Sequence, residues 1–564
     1  MKKKGFTLIE LLAVIVILAI IALIAIPVIT NVIEKAKKGA AESSALGYLS
    51  AVENQVAINA VDTSKEDIVD GEYEVSVLAS KGVTVKGNGP KSGTVTITKG
   101  QVTACSLVID KYTVTCLGNG KVQVGKEVEE EKLEGTEISS IAQSLLDNNT
   151  TYGNYTYMNG TYLKGVQENN YVWYNGFLWR IMGINENGTV RLITEENVTA
   201  ISYGASGQGL LYATNEGYIN DWLNKYFLSN LDSSKTDIIT KSDWCLNTTT
   251  NKTSARQTCE GGTTFNASVG LITLDEYNLS GASSTNSTYY LINSQYYWTL
   301  TPDSTSNAWY VFNDGIAHLD DVSFAFGVRP VINVSADAVI TGGNGSLSDA
   351  YILNQTSESK TGKLNEKASS GEYVSLDGKT YRVATKESNG IKLIYDGYYE
   401  ETPGTIYKMV YGTDNTFTTS SGIGQVLNGD VLTWLGNSDK IIESNWYQTS
   451  GFDKGTKYTS ILEDKTNPIK TKVGLIRLGE MMSGQSASIL TKNYTVRSEY
   501  SNSANYWTMN KYNSTSYAWR VNDVGNANDG DVAITRGVRP VIVVSTDTTI
   551  SSGNGTLSSP YIIE

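Results

Sequence analysis

A chain of 564 residues is long enough for several domains, and its 58 acidic against 45 basic residues give a net charge of −13 with a single histidine. With no basic stripe, that balance argues against a nucleic-acid-binding surface. Only 18% of residues are charged, while 35 tyrosines and 53 glycines sit among abundant Asn, Ser and Thr, a composition suited to exported β-rich modules with polar turns.

The chain opens with Lys2, Lys3, Lys4 and Gly5, then Phe6-Thr7-Leu8-Ile9-Glu10, then an apolar run from Leu11 to Ile29. A bilayer core is crossed by about 20 apolar residues in a helix, so residues 6–29 are long enough to form a transmembrane segment. The lysines hold the N-terminus in the cytoplasm and send everything after Thr30 outward, as a single-pass membrane protein. Glu10 is the anomaly, because a carboxylate at such depth costs roughly 2.5–3.5 kcal/mol and signals a partner. Cleavage between Gly5 and Phe6 would create an α-amino cation to meet it, on the same helix or on a neighbour's.

These residues closely resemble the prepilin signal of type IV pilins and pseudopilins. The resemblance implies that a prepilin peptidase removes residues 1–5 after Gly5, that Phe6 is N-methylated, and that Glu10 guides entry into a filament through the assembly platform. An ordinary cleaved signal peptide has a shorter apolar region closed by a small-x-small site, which this run lacks. A plain signal anchor remains open, but it explains neither Gly5 nor Glu10.

Residues 30–60 continue the helix amphipathically, with Val32, Ile33, Ala36, Leu46, Leu49, Val52 and Val56 at three- and four-residue steps. Residues 72–124 alternate apolar and polar around turns at Gly87-Asn88-Gly89-Pro90 and Asp110-Lys111, which reads as an antiparallel meander. Together 6–126 resemble a small Gram-positive pilin module, closed by a charged linker at 127–134. Cys105 with Cys116 and Cys245 with Cys259 form two local pairs; an even count in exported segments suggests disulfides. Free thiols stay open, whereas zinc lacks a ligand set.

Beyond the linker the chain repeats. Trp298, Trp309, Arg329 and Leu347 recur as Trp507, Trp519, Arg539 and Leu557, and Tyr171-Val172-x-x-x-Gly176 recurs as Tyr373-Val374-x-x-x-Gly378. Two homologous domains are expected, 135–353 and 371–564, joined by a linker at 354–370; so long a period means tandem globular domains. The order Gly-Leu-Ile-x-Leu, Tyr-Trp-Thr, Ala-Trp-x-Val, Gly-Val-Arg-Pro-Val resembles the C-type-lectin-like and formylglycine-generating-enzyme-like fold of bacterial surface proteins. The expected fold class is therefore α+β: a long helix with a small antiparallel sheet, then two mixed α/β lectin-like domains.

Duplicated Trp298, Trp309, Gly327, Arg329 and Pro330 read as core, with both arginines bonded to backbone carbonyls. Function is sought where the copies differ, in the loops 313–326 and 522–535. Asp523, Asp529 and Asp531 in the second loop form a weak Ca²⁺ candidate, set against an ordinary solvated turn. The Glu-Pro-Asn or Gln-Pro-Asp tripeptide of calcium-dependent sugar binding is absent.

No catalytic residues emerge. The second copy lacks cysteine, and there is no nucleophile elbow or phosphate loop. No cofactor is called beyond that possible Ca²⁺. The expectation is a minor, tip-located pilin subunit that binds a surface ligand, glycan or protein, and ends on the pilus or cell surface. A membrane-anchored binding protein and a secretion or competence pseudopilin are the alternatives.

Overall fold

The N-terminal helix, Leu8–Val61, belongs to the smaller of two compact units that divide between Lys132 and Leu133. The computed structural model describes residues 8–61, 67–85, 89–90, 92–109, 112–118, 120–127, 135–205, 216–282, 288–356, 358–436, 439–482 and 505–563; side chains of 8–33 fall outside that description. Among the residues whose side chains are described no helix is long and apolar enough to cross a membrane; of the segment expected to do so, 6–29, residues 6 and 7 and the side chains of the rest lie outside that description.

In unit 1 the outer half of the helix lies on a five-stranded antiparallel meander: Gly71–Glu74, Ser92–Thr98, Gln101–Ile109, Tyr112–Gly118 and Lys121–Glu127. The stripe that packs is Ala41, Ala45, Tyr48, Leu49, Val52 and Val56, facing Val95, Ile97, Leu107, Ile109 and Val114. Two of the apolar residues expected on it, Ala36 and Leu46, are exposed. The alanines take their place because a small side chain lets the helix approach the sheet closely, at a spacing of four residues. The sheet also departs from the expected 72–124. The first strand ends at Glu74 and a short helix, Val75–Ser80, follows, because Leu78 is fully buried three residues after Val75. The last strand runs on to Glu127, into the expected linker.

Unit 2 holds both copies, and each is built around the same sheet. In copy 1 the strands Thr136–Glu137, Val339–Gly342, Tyr351–Leu353, Tyr171–Tyr174, Phe177–Ile184, Val190–Thr194 and Val331–Val334 lie side by side in that order. Copy 2 repeats it with Gly362–Lys363, Thr549–Ser552, Tyr561–Ile563, Tyr373–Leu376, Lys379–Glu387, Gly390–Tyr395 and Val541–Ser545. In both, the last strand lies parallel to the first strand of the opening hairpin, so the ends of each copy meet. The register even slips at equivalent places, between Ile181 and Gly183 and between Val383 and Thr385.

The expected linker 354–370 is partly structured. Gly362–Lys363 is an edge strand of copy 2, and the helical turn Leu364–Lys367 buries Leu364. Copy 2 therefore starts near Gly362, because its closing strands need an edge partner.

The two copies share one core. Ala325 of copy 1 pairs with Ala527 of copy 2, joining their second sheets edge to edge. Trp222 donates to the Met482 carbonyl at 3.0 Å, Tyr458 donates to Asp221 at 3.0 Å, and the rings of Trp173 and Tyr373 lie 5.7 Å apart. Pairing one edge strand against the other also removes two edges that would otherwise template aggregation.

Candidate functional site

Gly5 and Phe6 lie outside the described residues, and Glu10 falls on the N-terminal helix with its side chain likewise outside. The geometry of that signal is thus a matter of position: one continuous helix carries Glu10 at one end and the packed stripe of unit 1 at the other.

The duplicated residues are scaffold. Trp298 and Trp507 are fully buried and donate to the carbonyls of Ile201 and Met409, each at 3.2 Å. Trp309 and Trp519 donate to Thr249 at 2.7 Å and Phe452 at 3.2 Å. The Arg329 guanidinium donates to the carbonyls of Thr194 and Leu291, both at 2.8 Å, and faces the Tyr297 ring; Arg539 repeats this with Tyr395 at 2.9 Å over Tyr506. A planar guanidinium ties strands together at several points while staying charged.

A second duplicated device went unread in the sequence. Arg191 and Glu276 form a buried ion pair at 3.1 Å beside the Trp244 ring, and Lys392 with Glu480 at 2.7 Å beside Trp446 takes its place in copy 2. Burial raises the Glu276 carboxyl, although Arg191 opposes the rise. At Glu480 burial also pushes upward, but Lys392 and Arg477 together hold it below the ordinary value. The one legible signal was Thr273-x-x-Glu276, where the threonine hydroxyl caps the helix Leu274–Leu279 and the glutamate reaches back. These pairs are enclosed by packed strands and rings, which suits a structural role.

The loops singled out for ligand binding are partly strands and partly taken up by the contact between the copies. Residues 317–321 and 325–328 are strands, as are 527–531, and the 325–328 and 527–531 strands are the ones that join the copies. The Tyr296 amide donates to Val524 at 3.0 Å, again across copies. Asp523, Asp529 and Asp531 do not converge as a calcium site. Asp529 pairs with Lys454 at 2.8 Å, Asp531 accepts from the Ala533 amide at 2.9 Å, and Asp523 sits on the turn before their strand. Among the described residues no three His, Cys, Asp or Glu side chains gather around a common point. Asp529 and Asp531 share one face of their strand, but Asp529 is taken up by Lys454, and Ca²⁺ needs six to eight oxygens around one centre.

The cysteines are joined as Cys105–Cys116, with Cα atoms 4.9 Å apart on neighbouring strands, and as Cys245–Cys259, 5.6 Å apart. The second tethers the strand Ser242–Leu246 to the loop before its partner, Thr263–Ala267.

Among the described residues, one marked structural difference between the copies lies elsewhere. Between its edge strand and Tyr171, copy 1 holds residues 138–170: an eleven-residue helix, Ile138–Asn148, and a hairpin, Asn154–Tyr157 with Gly160–Leu163. Copy 2 spans the same step with 364–372 and a single helical turn. That extra segment lines an open trough of about 300 Å³ on the surface of copy 1.

Residues 1–26 match the family model of the prokaryotic N-terminal methylation motif. The N-terminus is type IV pilin-like. Such a signal implies processing by a prepilin peptidase and assembly with other pilins, and it suggests membrane insertion and surface display. No protein of curated function matches the chain, and no solved structure matches it.

Proposed function

We propose that the chain is a type IV pilin-class subunit whose unit 1 assembles through its N-terminal helix and whose unit 2 is a non-enzymatic binding head. The observation that carries this reading is the methylation motif at 1–26 on a chain whose outer unit, 133–564, far exceeds the helix-and-sheet module. Processing after Gly5, methylation of Phe6 and docking through Glu10 belong to the reading, as does a minor, tip-placed position, since so bulky a head would crowd a helical filament. We read the two copies as C-type-lectin-like domains; the meeting of first and last strands in each supports it, because a module whose ends are adjacent is easily grafted onto another.

The test is N-terminal sequencing and immunogold labelling of sheared filaments from the native host. Mature chains starting at Phe6 and labelled on filaments are expected. Gly5→Ala blocks processing, while Glu10→Val is processed but enters filaments poorly. Chains that keep their lysine leader, or normal incorporation of both variants, would sink the filament assignment. A membrane-held binding protein that never polymerises would then take its place.

A further inference from the structure

We infer that the trough built by residues 138–170 is a calcium-independent subsite for a short neutral oligosaccharide, an inference that rests on reading unit 2 as a binding head. The trough is lined by Leu145, Asn148, Asn149, Thr151, Tyr152, Val166, Gln167, Glu168 and Asn169, all from the segment that copy 2 lacks. Its volume of about 300 Å³ lies at the lower end of small-ligand clefts, about 300–1,000 Å³, as suits a shallow, open subsite.

Three features point to a sugar. The first is a fixed, exposed aromatic. Tyr152 is 39% exposed, yet its ring is held edge-on to Tyr289 at 5.5 Å and lies against the backbone of Gly165. Gly165 has φ +77°, and a Cβ there would sit 2.1 Å from the Tyr152 ring, so only glycine permits the arrangement. A ring immobilised before binding offers a flat contact surface at little entropic cost, which suits the apolar face of a pyranose.

The second feature is the company that ring keeps. Asn148, Thr151, Glu168 and Asn169 are exposed around it, with Gln167 half-buried. Amides and hydroxyls both donate and accept, matching the mixed character of sugar hydroxyls, and the carboxylate accepts. The trough is itself braced: Asn149 donates to the carbonyls of Gly153 at 2.6 Å and Lys164 at 3.1 Å, tying its two walls together, and Arg180 donates to the Gln167 carbonyl at 2.6 Å.

The third feature is charge. The lining has one carboxylate and no cation, on a chain of net charge −13, which disfavours an anionic ligand. One carboxylate is also far short of a calcium shell, so the subsite needs no metal. A protein partner would want a broad apolar centre, whereas apart from the Tyr152 ring the trough lining has only Leu145 and Val166.

The test uses the full-length chain in detergent, titrated with cellotetraose and with chitotetraose by calorimetry, with and without EDTA. At least one is expected to bind, unchanged by EDTA. Tyr152→Ala should weaken binding at least about tenfold and Asn169→Ala about threefold, while Tyr517→Ala, an equally exposed tyrosine of copy 2, changes nothing. Asn169 lies on the exposed rim, so its variant reports binding even if Tyr152→Ala disturbs the fold. No binding of either sugar at millimolar concentration overturns the inference, as do undiminished affinity in both variants, loss in EDTA, or binding of peptides alone. Failure here with the chain present on filaments sinks the subsite and leaves the pilin reading standing; sugar binding by a chain absent from filaments does the reverse.

Discussion

Copies 1 and 2 have the same strand order, the same register slip and the same buried tryptophans, yet they solve two local problems differently. Where copy 1 buries Arg191 against Glu276, copy 2 uses Lys392 against Glu480 with help from Arg477. Where copy 2 takes one helical turn from edge strand to hairpin, copy 1 inserts a helix and a hairpin. The first difference leaves the fold unchanged, because either cation neutralises the carboxylate beside an indole ring. The second changes the surface. Duplication thus separates what the frame requires from what one copy has added to it.

The severest way to break the comparison is to remove one member. Truncation after Leu353 strips copy 1 of its edge partner at Ala325 and of the cover over Trp173 and Trp222, so the remainder is expected to lose cooperative unfolding and aggregate. Retention of a sharp calorimetric transition would show that the copies fold independently. Next come Trp298→Ala and Trp507→Ala, each expected to cost about 3–5 kcal/mol in denaturant titrations, with all of unit 2 unfolding in one step.

The ion pairs sharpen the comparison through pH. The Glu480 carboxyl is lowered in the folded state, so its contribution is complete above the unfolded value of about 4.3 and is lost as pH falls through the folded value. Acid titration of the melting temperature should show that loss, and Glu480→Gln, which takes the carboxylate from buried Arg477 and leaves Lys392 with Glu387 alone, should cost about 3–5 kcal/mol at neutral pH and flatten the acid limb. A smaller effect is expected of the Cys245→Ser/Cys259→Ser double variant, about 3 kcal/mol for a separation of 14 residues. The smallest is Gly165→Ala, about 1–3 kcal/mol from its left-handed backbone and the displaced Tyr152 ring. Chemical denaturation of each variant checks both values.

Much of this was legible along the chain. The helix, the meander and the twofold repeat follow from periodicity, alternation and recurring motifs. The buried tryptophans and arginines followed from their recurrence, since equivalent folds need equivalent cores. Other features escaped, the buried ion pairs among them. Ala41 and Ala45 outrank Leu46 on the helix stripe because close approach to a sheet rewards small side chains. The 313–326 and 522–535 loops read as a binding surface because the copies differ there, yet strands within them meet across the copies. Asp523, Asp529 and Asp531 look like oxygen ligands by type, but Lys454 takes Asp529 and Asp523 lies on the turn before the strand.

Local chemistry was enough to mark the assembly signal, because an acid in an apolar run next to a glycine is unusual wherever it occurs. It was also enough to count the repeats, because cores of one fold demand the same large side chains. Which surfaces stay open to a ligand is a property of long-range packing. Edge strands pair with whatever edge reaches them, and only the folded arrangement shows that strands within these loops join the copies and that the trough at Tyr152 stays exposed.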